Sequence, residues 1–66
     1  MKTKVVSERL SATVVIHYVL ILHNDNWLQV ARFAEFEHAK AYAWDAASGL
    51  GRATKEIKKL LEEVPE

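Results

Sequence analysis

The chain has no cysteine, a single proline and only two glycines in 66 residues. Without thiols it can form neither a disulfide staple nor a zinc-thiolate centre. A domain this short buries only about 60% of the surface its unfolded chain exposes, so association with another chain is the expected remedy. A dominant charge is lacking too: nine Lys+Arg balance nine Asp+Glu, which removes the general attraction that a basic protein has for nucleic acid or anionic lipid. The longest apolar run, Val14 to Leu22, contains His17 and is far shorter than the roughly 20 residues that cross a bilayer. The opening Met-Lys-Thr-Lys lacks the apolar stretch of a secretory signal. The expected location is cytoplasmic, with no membrane partner and one domain spanning residues 1–66.

What is present is a strand-rich first half and a helix-rich second half. Residues 1–11 are mixed and polar around Val5 and Val6, and either add a short edge strand or remain a frayed arm. From Thr13 to His23 the residues are mostly β-branched and aromatic; Asn24, Asp25 and Asn26 tolerate left-handed backbone, and Trp27 to Ala34 follow. Residues 12–34 therefore read as a β-hairpin. With a two-residue turn, alternation puts Val14, Ile16, Tyr18, Leu20 and Leu22 beside Trp27, Gln29, Ala31 and Phe33. The other face then carries Val15, His17, Val19, Ile21 and His23 beside Leu28, Val30, Arg32 and Ala34, and a loop one residue longer would re-pair the two sets.

Residues 35–64 have helical composition. Gly49 and Gly51 offer a break into two short helices, yet Phe36, Ala43, Leu50, Ile57 and Val64 recur every seven residues, with Ala39, Ala46, Ala53 and Leu60 between them. That phase favours one long helix, bent near Gly49. The expected fold class is therefore α+β: an antiparallel hairpin packed on one long C-terminal helix, a ββα protomer. Both hairpin faces are largely apolar and one helix covers only one of them, so a homodimer is expected. Its contacts would come from Val15, Val19, Ile21 and Val30 of the hairpin and from Ile57 and Leu61 of the helix.

Chemistry-bearing constellations are few. His17 and His23 are six apart on one strand face, too far to share a metal, and no carboxylate is placed to complete a site with them or with His38. Ser7, Ser11 and Ser48 lack a nucleophile elbow, and no phosphate loop or paired-carboxylate motif occurs. A non-enzyme without metal or cofactor is expected, with little room for an enclosed pocket of about 300 Å³. The helical aromatics carry more information. Trp44 lies well away from the apolar stripe, among Ala41, Ala47, Ser48 and Gly51, and Tyr42 lies at the stripe's flank. An aromatic anchor among small residues has the character of a protein-protein hot spot, although Trp44 could instead pack on a second copy or on the N-terminal arm. Arg32, a lone charge in an apolar strand face, is the third candidate contact, its alternative being a snorkelling surface side chain.

A small cysteine-free chain with an apolar hairpin, one long helix and the outward aromatics Tyr42 and Trp44 resembles bacteriophage-encoded inhibitors. Among these it most resembles the phage quorum-sensing anti-activators, dimeric proteins that bind LuxR-type transcriptional activators and can also inhibit a pilus-assembly ATPase. The likeness covers residues from about Ala12 to Val64. It implies stoichiometric sequestration of a host activator, with Tyr42 and Trp44 as activator-binding residues. Anti-CRISPR proteins fit the same general description. A DNA-binding regulator would instead set Lys4, Arg9, Arg32, Lys55, Lys58 and Lys59 against phosphates, which their dispersal among acids disfavours.

Overall fold

The computed structural model describes residues 2–49 and 51–63. Its elements follow in the order β1 (Thr3–Arg9), β2 (Val15–His23), β3 (Asn26–Phe33), α1 (Phe36–Ser48) and α2 (Arg52–Glu63). This corrects the expected architecture in two ways: the sheet is three-stranded and antiparallel, in the order β1-β2-β3, and the helical half is two helices. The expected core positions Leu50 and Val64 lie outside the described residues.

The hairpin turns on Asn24 and Asp25, whose φ values of 51° and 63° are the positive angles that a two-residue type I′ connection demands. Asn26 reinforces the tip by donating its side-chain amide to the Asn24 carbonyl at 3.1 Å. Pairing then runs from His23 with Asn26 to Leu20 with Gln29, and shifts by one residue at Val19, which faces Ala31. Val30 is the extra residue of this β-bulge.

The bulge changes which side chains face the core. Up to Gln29 the alternation is as expected, with Trp27 and Gln29 on the Tyr18 face. Beyond Val30 it inverts: Ala31 and Phe33 pack against the core that contains Val19, and Arg32 moves to the opposite face, beside Tyr18. Strict alternation places Ala31, Phe33 and Arg32 the other way round, because a bulge is invisible to a period of two.

β1 pairs with β2 from Thr3 opposite Ile21 to Arg9 opposite Val15. Thr3 ties it to the helical layer by donating its hydroxyl to the Ala43 carbonyl at 3.3 Å. The helices cover one face of the sheet. Beneath them lie two linked clusters: Val19 with Ala39 and Ala43, and Ile21 with Ala46, Ala53 and Ile57. Val30 and Tyr42 touch both clusters. The alanines of the seven-residue pattern thus do line the core, and their small side chains let α1 approach the strands closely.

Two features end the single helix. Gly49 takes the left-handed φ of 77° that closes an α-helix at its C-terminus. Asp45 then caps the next helix from the side: its Oδ2 accepts the Ala53 N–H at 3.2 Å, and its carbonyl accepts the Thr54 hydroxyl at 3.2 Å. A side chain at position 51 would occupy the space filled by that carboxylate. The seven-residue phase survives because the chain resumes the same apolar face after the turn, so periodicity alone cannot detect the break. The stripe also fails at two of its described positions, since Phe36 and Leu60 are exposed.

Candidate functional site

The three side chains expected to form a partner-binding site occupy three different surroundings. Trp44 is on the outer side of α1 and is 65% exposed, the highest value among the large exposed hydrophobic residues described. Glu37, Lys40 and Ala41 share its stripe at helical spacing and, with Trp44, line an open depression of about 420 Å³. The local reason is packing: Ala39, Ala43 and Ala46 take α1's inward face, which leaves Trp44 pointing away from the sheet.

Tyr42 is mainly a structural residue. Its ring packs on both core clusters and meets Phe33 at 5.6 Å between centroids, and its hydroxyl donates to Glu56 Oε2 at 3.4 Å, joining α1 to α2. Burial first, and then the Glu56 carboxylate, raise its pKa above the usual 10.0, because both disfavour the phenolate.

Arg32 is exposed on the sheet face that carries no helix, where it lines an open groove with Leu10, Ile16 and Tyr18. Sheet and helix lie between it and Trp44, so the two cannot act as one compact patch. Both depressions have the volume that the chain's small size argues against, but as open surface rather than as enclosed cavities.

The residues expected at a dimer interface are also divided. Val19, Ile21 and Ile57 are fully buried within a single chain and present no surface to a second copy. Val30 and Leu61 pack at the margin of that same core, and Val15 is exposed at the start of β2. The expectation misjudged these residues because it left the face of Val19 and Ile21 bare, whereas α1 and α2 together cover it.

The bare face is the other one, a surface that β1 enlarges and that no side-chain motif announces. It carries Val6, Ile16, Tyr18, Leu20, Leu22 and Trp27. Lys4 reaches across it, placing its ammonium 4.2 Å from the Trp27 ring centroid, a cation-π contact that shields part of the apolar surface.

The histidines have local partners. His17 Nδ1 lies 2.6 Å from the Ser7 hydroxyl, and its ring meets Phe36 edge-on at 5.5 Å. A serine-histidine contact of this kind has the first two members of a nucleophilic relay, but the neighbour orienting the imidazole is an apolar ring rather than a carboxylate. His38 faces Glu35 at 3.4 Å on the surface, and His23 faces Asn24 at the hairpin tip. Among the described residues no three His, Asp or Glu side chains gather as a metal site, and no helix is long and apolar enough to cross a membrane. Comparison of the chain with protein-family models, curated proteins and solved structures finds no match.

Proposed function

We propose that the chain is a small, non-enzymatic, protein-binding inhibitor acting in the cytoplasm, with Trp44 as its anchor. The observation that carries this reading is the exposure of that indole on a helix whose opposite side is fixed in the core. Keeping so large an apolar surface in water is unfavourable, and a rigid ring on a rigid element loses little freedom when a partner covers it. Glu37 and Lys40 give the surrounding rim both signs of charge, which suits a protein groove better than a phosphate backbone. The likeness to phage quorum-sensing anti-activators, which after the helix break and the inward turn of Tyr42 rests on the hairpin and on Trp44, suggests the candidate partner, a host LuxR-type activator held away from its promoter, with a pilus-assembly ATPase as the second candidate.

The test is titration of a purified LuxR-type activator with the wild-type chain and with Trp44→Ala. Binding should weaken at least about 30-fold in the variant, the scale of a hot-spot residue, with an unchanged thermal midpoint. Equal affinity of the two proteins would exclude Trp44 as the anchor, and the absence of any wild-type complex would exclude the activator.

A further inference from the structure

We propose that the free edge of β1 pairs with β1 of a second copy, antiparallel about Val6, to give a closed dimer with a continuous six-stranded sheet. β1 is an edge strand with β2 on one side only. The bonds from Leu22 N–H to the Lys2 carbonyl at 3.0 Å and from Leu10 N–H to the Val14 carbonyl at 2.9 Å fix its phase. Lys2, Lys4, Val6, Glu8 and Leu10 direct their backbone groups to β2, so Thr3, Val5, Ser7 and Arg9 direct theirs outward. Such a row of unpaired donors and acceptors is a template for another strand.

The side chains select the occupant. Val6 is central in β1, with Lys4 two residues before it and Glu8 two residues after it, all on the bare face. In an antiparallel pair centred on Val6, Val5 opposes the partner's Ser7 and Thr3 opposes the partner's Arg9, and these are the residues whose backbone groups point outward. Val6 then faces the partner's Val6, and Lys4, whose ammonium lies over the Trp27 ring in the single chain, turns to the outer edge to face the partner's Glu8. Both fall in the non-hydrogen-bonded positions, where opposed side chains come closest. The two-fold axis repeats the Lys4–Glu8 pair, so the edge is complementary to itself in backbone phase and in charge.

The opposite edge of the sheet differs. The bulge at Val30 interrupts β3, a device that blunts strand addition. Joining β1 of one copy to β3 of the next would also build an open filament rather than a closed pair. The proposal is independent of the role given to Trp44.

Sedimentation equilibrium of the full chain across the micromolar range tests it. The wild type should be a dimer. Lys4→Glu and Glu8→Lys each place like charges opposite one another twice, and each should weaken self-association at least about tenfold. An equimolar mixture of the two variants restores both pairs and should dimerise as the wild type does. Ser7→Pro removes an outward N–H and leaves the β1–β2 backbone bonds in place, losing only the hydroxyl contact to His17, and should give a protein folded by circular dichroism and monomeric by sedimentation. A monomeric wild type, charge reversals without effect, a mixture that stays monomeric, or concentration-dependent filaments would each overturn the proposal. A folded Ser7→Pro dimer would also overturn it, because face-to-face stacking of sheets does not need that N–H; should Ser7→Pro unfold, the mixture decides.

Discussion

Tyr42 shows how one side chain serves two layers. Its ring joins the two core clusters, and its hydroxyl reaches Glu56 on the second helix. Because the folded state raises the phenol's pKa, folding favours the protonated form. The associated stability is fully present below the unfolded value near 10, and it is lost as pH rises through the higher folded value. Urea midpoints of wild type and Tyr42→Phe, measured between about pH 9 and about pH 11, should converge at the alkaline end. A difference that stays constant with pH would mean that the phenol does not sense its surroundings.

At the scale of elements, Asp45 determines where the helical half divides. Replacing it with alanine removes the side-chain acceptor for the Ala53 N–H and should cost about 1 kcal/mol, read as a lower urea midpoint at unchanged slope. Asp45→Asn should recover part of that loss, since an amide oxygen still accepts. This cap explains why the sequence was only partly legible. The hairpin could be read because its signals are local: a β-branched run before residues that tolerate positive φ, and the apolar Trp27, Leu28 and Val30 soon after them. The alanine stripe could be read because burial repeats every seven residues. The helix break depends on a carboxylate six residues before the glycine it lies against, and the inversion at Val30 depends on one unpaired residue, so neither leaves a periodic trace. For the candidate site, the outward direction of Trp44 followed from its position on the helical wheel. The inward role of Tyr42 did not, because a residue at the stripe's flank turns inward only when a second helix, here α2, packs beside it.

The whole molecule is a plate. Its extents are 37 × 24 × 17 Å, and the shortest accommodates one helical layer on one sheet, with no element of the described residues on the far side. The accessible surface of 4979 Å² compares with about 4,200 Å² for an average monomer of this mass. The face around Ile16, Tyr18, Leu20 and Leu22 is only half-buried, and Val6 and Trp27 beside it are exposed. β-strand pairing through β1 would lengthen that face without covering it. Its consequence is practical. Anilinonaphthalene sulfonate, a dye that brightens on apolar surface and serves as the usual marker of loosened packing, should fluoresce with the fully native protein. The near-ultraviolet dichroism of Trp27, held beneath the Lys4 ammonium, should persist in the same sample. A melting curve followed by dye emission would therefore start bright and misreport an intact fold as a molten one.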